Sequence, residues 1–210
     1  SYDMNDLDMD SNYSFKNASN LKKHLKFAFI KGPVWGSGDH DMQEKIKQFV
    51  DNSNLEIASV ELGDDFTEAA RCHEIIMNGS ISRSLANYYE NNKSKLHPFT
   101  IARFEAGKSV STNSYIDAIE KAKKMKQTLS EIFLKFDAII TPAAPGQAPR
   151  DLMNTGNAIF NGYWTMLGVP AISLPLLEGK DGLPIGIQVI TSWNKEAELL
   201  DISKIILNQA

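Results

Sequence analysis

Between residues 111 and 133 the chain repeats apolar side chains at three- and four-residue steps: Ile116, Ile119, Ala122, Met125, Leu129, Ile132 and Phe133. That spacing puts them on one stripe of a long helix. Ser111 or Thr112 opens it, and Lys121, Lys123, Lys124 and Lys126 fall mostly on the solvated face. Just beyond, residues 137–141 form a short apolar run stopped by Pro142, which reads as a buried strand. A helix with one apolar stripe that feeds directly into a strand must bury the stripe on other elements. The chain is thereby constrained to a layered arrangement of helices on a sheet.

The flanking segments agree with that class. Residues 27–30 (FAFI), ending near Gly32-Pro33, read as a first strand. Asp39 caps a helix to about residue 50, with Met42, Ile46, Phe49 and Val50 on one face, and residues 55–62 read as a second strand. This β-α-β order predicts a parallel pair with a crossover helix. Residues 64–89 read as a helix broken near Asn78-Gly79, and Pro98 opens a short helix ending at Gly107. A Pro/Ala/Gly loop follows Pro142, and residues 157–167 read as a short helix carrying Phe160 and Trp164. Residues 170–177 and 184–191 read as strands joined by Glu178-Gly179-Lys180-Asp181-Gly182, a hairpin turn. Asn194 is the expected cap of a last helix to about residue 207. The fold class is therefore α/β, a layered mixed β-sheet flanked by helices. Residues 1–24 read as an acidic and polar connecting arm, and 25–210 as the folded portion.

Composition narrows the chemistry. Twenty-two basic against 26 acidic residues, net −4, leave no electrostatic footprint for nucleic acid. No apolar run reaches the roughly 18 residues of a membrane span. A single cysteine, Cys72, excludes a disulfide framework, and His24, His40, His73 and His97 show no metal-ligand spacing. No secretory signal is visible, so the Asn-x-Ser triplets at Asn17, Asn78 and Asn92 are read as chance, and a reduced, cytoplasmic setting is expected. Gly36-Ser37-Gly38 lacks the spacing of a nucleophile elbow, and a phosphate loop is absent. Cys72 and His73 point about 100° apart on a helix, so Cys72 reads as a buried structural thiol. Asp64-Asp65, like Glu196 and Glu198, sit at helix starts, where carboxylates favour the dipole.

The richest stretch runs from Phe136 to Gln188. It contains Phe136-Asp137-Ala138-Ile139-Ile140-Thr141-Pro142, the loop Ala144-Pro145-Gly146-Gln147-Ala148-Pro149, and Thr155-Gly156-Asn157. Then come Phe160-Asn161, Trp164-Thr165-Met166-Leu167-Gly168-Val169-Pro170-Ala171, Leu174-Pro175 and Gly182-Leu183-Pro184-Ile185-Gly186-Ile187-Gln188. In order and spacing these motifs resemble the C-terminal half of the amidase signature family. Glu74, Gly107, Ser111, Tyr115 and Ala118 look like its middle region. Glu196-x-x-Leu199-Leu200 is similar to its terminal D-x-x-L-L, and Asp3-x-x-Asp6 to the stretch that follows its catalytic region.

The resemblance implies the C-terminal half of the amidase signature fold and hydrolysis of small linear carboxylic amides to acid plus ammonia or amine. Family chemistry rests on a Ser-Ser-Lys triad in a Gly/Ser-rich segment, where Lys deprotonates a bridging Ser that activates the nucleophile. No such run occurs in this chain, and Ser37, Ser173 and Lys31 match no triad position. No catalytic residue, metal or cofactor is therefore assigned. The expected partners are a small-molecule amide in the complete enzyme and an N-terminal catalytic half. The open sheet edge of such a piece makes a homo-oligomer a further expectation. Val169, Ile172, Leu174, Ile185, Ile187 and Val189 are the apolar side chains expected to be left bare. Thr155, Phe160 and Trp164, on or beside the T-G-N helix, are the candidate substrate-lining residues. Phe160 and Trp164 lie four apart on one face and read equally well as core. Gly168, Gly182 and Gly186 read as backbone-geometry positions. Two other readings stand beside the amidohydrolase: the A subunit of a tRNA-dependent amidotransferase, and a non-catalytic scaffold retaining half the fold.

Overall fold

A computed structural model describes residues 21–208. Residues 1–20, with most of the acidic arm and the Asp3-x-x-Asp6 motif, lie outside the described residues. The remainder of the arm lies against the body: Leu21 packs on the core and Lys22 pairs with Asp137 at 2.8 Å.

Strand β1 (Lys26–Phe29) leads through a short 3-10 turn to helix α1 (His40–Asn52) and strand β2 (Glu56–Ser59). β1 and β2 pair in parallel with Phe27 beside Ile57, as the β-α-β pattern requires. Helices α2 (Ala69–Ser84), α3 (Ala86–Asn92), α4 (Pro98–Lys108) and α5 (Thr112–Phe133) follow, and strand β3 (Ala138–Pro142) returns to the other side of β1, also parallel. Helix α6 (Ile159–Leu167), the antiparallel hairpin β4 (Ala171–Glu178) and β5 (Pro184–Ile190), and helix α7 (Glu196–Leu207) complete the order. The sheet runs β2-β1-β3-β5-β4, mixed as expected, with β5 antiparallel to β3.

Local signals account for several boundaries. The Asp39 side chain accepts from the Met42 N–H, Pro98 occupies the first turn of α4, and Ser111 accepts from the Ser114 N–H. At the end of α6, Gly168 turns left-handed (φ 68°) and its N–H closes on the carbonyls of Trp164 and Thr165. The core joins Phe27, Ile30, Met42, Ile46, Met125, Leu129, Ile139, Phe160, Trp164, Ile187 and Ile202.

Four expectations are corrected. Helix α2 runs unbroken through Gly79 and ends at Ser84, with Leu85 as its C-cap. Gly79 serves packing: a Cβ there would come within 2.8 Å of the Tyr115 ring on α5. In α5 the packed stripe through Ala118, Ala122, Met125 and Leu129 continues back three residues to Tyr115, so Ile116 lies off it and is exposed. Asn194 does not cap α7. Its φ of 59° is left-handed, whereas an N-cap needs extended backbone to aim its side chain at the free N–H groups. Finally, Val169, Leu174, Ile185, Ile187 and Val189 are buried within the chain itself, and only Ile172 of that set stays half-exposed. Helix α7 lies against both strands of the hairpin. Among the described residues, no strand pairs with the outer backbone edge of β4.

Candidate substrate cavity

β1 passes its chain outward through α1 to β2, while β3, on the other side of β1, passes its chain toward α6 and the hairpin. The chain thus leaves the carboxyl ends of neighbouring parallel strands in opposite directions. In open α/β sheets that divergence opens a crevice, and ligands bind there. A cavity of about 550 Å³ occupies this place. Its walls come from the loop after β1 (Ser37, Gly38, Asp39), the loop after β3 (residues 143–149) and the approach to α6 (residues 155–158 and 161).

Each wall is held by specific contacts. The Asp39 N–H donates to the Pro145 carbonyl at 2.7 Å, drawing the second loop onto the start of α1. Gly146 permits the approach, since a Cβ would stand 2.9 Å from the Asp39 carboxyl carbon. The hairpin turn braces the same loop from outside. Gln147 Nε2 donates to the Asp181 carboxylate, Arg150 to the Asp181 carbonyl at 3.1 Å, and the Lys180 N–H to Asp41 at 3.0 Å. Successive Asx turns build the third wall: Asp151 accepts from the Met153 N–H, Asn154 from that of Gly156, and Asn157 from that of Ile159. Gly156 is left-handed there (φ 79°).

Asn161 links this rim to the interior. Its Oδ1 accepts from Gln188 Nε2 at 2.7 Å, and Gln188 stands opposite Thr141 across the β3–β5 ladder. Gln188 Oε1, Thr141 Oγ1, the Tyr163 hydroxyl and the Trp164 indole nitrogen are all buried without a hydrogen bond of normal geometry. Burial pushes the Tyr163 hydroxyl up, offset in part by Thr141 and Trp164 beside it. His73 lies against Gly162 of α6. Burial holds its imidazole below the ordinary histidine range, with Arg103 acting the same way and Glu74 against it.

Of the expected lining residues, Thr155 stands on the cavity wall. Phe160 and Trp164 are 0% and 1% exposed, lie in the core and do not line it. From α6 the Phe160 ring reaches Gly38 of the first wall, where its Cζ would stand 3.5 Å from a Cβ, so it backs the cavity rather than lining it. Asn161 and Gln188 stand in the sequence motifs without being singled out there. A signal exists in Gln188, a polar residue between Ile187 and Val189 in a buried strand. Ser37 lies on the rim, Ser173 on β4 and Lys31 about 6.0 Å over the Trp35 ring, and no hydrogen bond joins any two of them among the described residues. Cys72 is buried, which pushes its thiol up and away from nucleophilic use. Among the described residues no cluster of His, Cys, Asp and Glu could hold a metal, and no helix is long and apolar enough to cross a membrane.

Comparison with known proteins bears on the family and the fold. The family model described as Amidase matches residues 1–200. The A subunit of the glutamyl-tRNA(Gln) amidotransferase of Aliarcobacter butzleri is 34% identical over 110 residues, 47% of this chain and 24% of that protein. A protein of Mycobacterium leprae described as amidase AmiC is 28% identical over 98 residues, 41% of this chain and 21% of that protein. Among solved structures, a crystal structure of an amidase superposes with a TM-score of 0.74 at 16% identity, covering 85% of this chain and 44% of that one. The matched region thus spans less than half the length of each of these proteins.

Proposed function

Because the chain belongs to the Amidase family, we propose that it supplies the substrate-lining wall and the mixed-sheet portion of an amidohydrolase acting on small linear carboxylic amides. In that reaction water adds to the amide carbonyl, the C–N bond breaks, and an acid and ammonia or an amine leave. The Ser-Ser-Lys chemistry implied by the family resemblance would come from a Gly/Ser-rich catalytic half, which this chain meets as its partner. The observation that carries the reading is the cavity at the switch point between β1 and β3, walled by the Pro/Ala/Gly loop and the T-G-N segment. Its walls present hydroxyl and carboxamide groups on a small-residue lining, suited to a compact polar amide.

The test is reconstitution. The chain alone should release no ammonia from a simple aliphatic or aryl amide above background. Mixed with a separately expressed Gly/Ser-rich half of an amidase, it should restore turnover. Robust hydrolysis by the chain alone, reproduced from two expression hosts, would overturn the reading. A second reading, a portion of the A subunit of an amidotransferase, is favoured by the relative at 34% identity. It requires ammonia transfer to a charged tRNA rather than release to solvent, which the same mixture can be assayed for.

A further inference from the structure

We propose that His73 is a pH-sensitive brace of the cavity: neutral, it packs on Gly162 and holds the cavity end of α6 in place; protonated, it releases that end, and the third wall opens in acid. The inference concerns the wall itself and holds whatever ligand the cavity takes.

Gly162 follows Asn161, a wall residue, and lies inside α6, where glycine is a poor helix former. Contact with α2 explains it. A Cβ on Gly162 would stand 2.5 Å from His73 Nδ1 and 2.7 Å from Cε1, so the imidazole lies directly on the α6 backbone. Helix α2 is the fixed partner: it packs so closely on α4 that a Cβ on Gly107 would stand 2.7 Å from Ser82 Cβ. Helix α6 is fixed at its far end, where the Trp193 indole donates to the Leu167 carbonyl at 2.8 Å. At the cavity end its N-cap is Ala158, and no side chain caps the helix from that position. That end depends on the Asn157 turn, the Asn161–Gln188 pair and the His73 contact.

A neutral imidazole carries one N–H, and the charged ring carries two. Neither ring nitrogen of His73 has a hydrogen-bond partner among the described residues. The charges around it do not favour the imidazolium. Arg103 on α4 is a like charge, and Glu74 on α2 is exposed and already paired with Arg103 at 3.1 Å. Helix α6 has no Asp, Glu, Lys, Arg or His, and its one ionisable group, Tyr163, is a buried phenol. Burial and Arg103 therefore both oppose protonation while α6 is closed on the ring. Opening lets the charged ring hydrate, so a proton favours the open form. The closed wall has its full strength above the ordinary histidine value of 6.5 and weakens as pH falls below it.

The experiment is amide hydrogen exchange of the full chain at about pH 7.5 and about pH 5.5, one unit on either side of the ordinary histidine value, corrected for the intrinsic pH dependence of exchange. The parent chain is expected to lose protection in acid at the Gly162, Tyr163 and Trp164 amides while α1 and α5 keep theirs. His73→Gln has a side chain of similar reach that does not titrate, and it should abolish the acid loss. Gly162→Ala pushes the ring aside. It should weaken α6 protection at both pH values and bring the His73 ring titration, followed by nuclear magnetic resonance, up toward 6.5. No acid loss in α6, or a loss of the same size in His73→Gln, overturns the inference. Parallel loss in α1 and α5 overturns it as well, because the whole fold then gives way together and His73 braces nothing in particular. A ring titration that Gly162→Ala leaves unchanged removes the contact on which the brace depends.

Discussion

Replacing Gly146 with Ala tests how the cavity loop is seated on α1. A Cβ at this position would overlap Asp39 Oδ2 and lie 2.9 Å from its carboxyl carbon, closer than real side chains approach. The backbone cannot retreat freely, because the Asp39 N–H is bonded to the Pro145 carbonyl at 2.7 Å. The Asp39 side chain must rotate instead and give up its cap on the Met42 N–H. Loss of such a cap costs about 1 kcal/mol, within a range of roughly 0.5–2. Against this, Gly146 is not among the left-handed glycines. Ala therefore fits the backbone and removes unfolded-chain entropy, a gain of about 0.4–1 kcal/mol. The single variant should thus lie between neutral and about 1 kcal/mol destabilised. In an Asp39→Ala background both the overlap and the cap are already gone, so Gly146→Ala should stabilise by about 0.4–1 kcal/mol. The change of sign is the diagnostic: the coupling in a double-mutant cycle should be near 1 kcal/mol, about 2–4 °C in melting temperature for a chain of this size. Urea denaturation of the four proteins measures it. Additive effects, with Gly146→Ala costing the same in both backgrounds, would show that Asp39 and Gly146 do not share the space and refute the loop geometry.

Gly107→Ala should destabilise by about 1–3 kcal/mol in urea unfolding even though Ala favours a helix, because its Cβ would press on the Asn78 carbonyl group and stand 2.7 Å from Ser82 Cβ in α2. Gly36→Ala, with nothing within 4 Å, is the neutral control, and equal behaviour of the two would contradict the α2–α4 packing. Trp164→Ala should cost about 3–5 kcal/mol in the same assay, since its ring is 1% exposed, and a loss under 1 kcal/mol would move it from core to surface. His73 is held below its usual pKa of 6.5 by burial, so the unfolded chain binds its proton more readily. Stability should therefore be full above about pH 6.5 and fall as pH drops below it. His73→Gln should flatten that slope between pH 5 and 7, and an unchanged slope would show that the imidazole titrates freely.

Much of this architecture is written in short-range chemistry. Asp39, Pro98 and Ser111 announce helix starts because their effects act within one turn. Gly168 announces the end of α6 because only a left-handed residue closes that turn without strain. The parallel β1–β2 pair follows from an intervening helix, and the β4–β5 hairpin from the Gly-rich turn. The motifs between Phe136 and Gln188 also carry the family, and with it the fold class. Other features depend on contacts between residues far apart in the chain. Gly79 reads locally as a helix breaker, yet the Tyr115 ring from α5 makes it a packing position and the helix continues. Asn194 has the side chain of a cap and the backbone of a turn, and the approach of the chain to α7 settled which applied. Phe160 and Trp164 carry the same pattern whether they face a cavity or a core. The layer beneath α6 decided for the core and left Asn161, the next residue along, on the wall. Its bond to Gln188 spans 27 residues. Capping and turn preferences are energies of neighbouring residues and can be read along the chain. Which polar groups meet across a sheet, and which face of a helix is dry, depend on how the layers stack, and those terms exist only after the chain has folded.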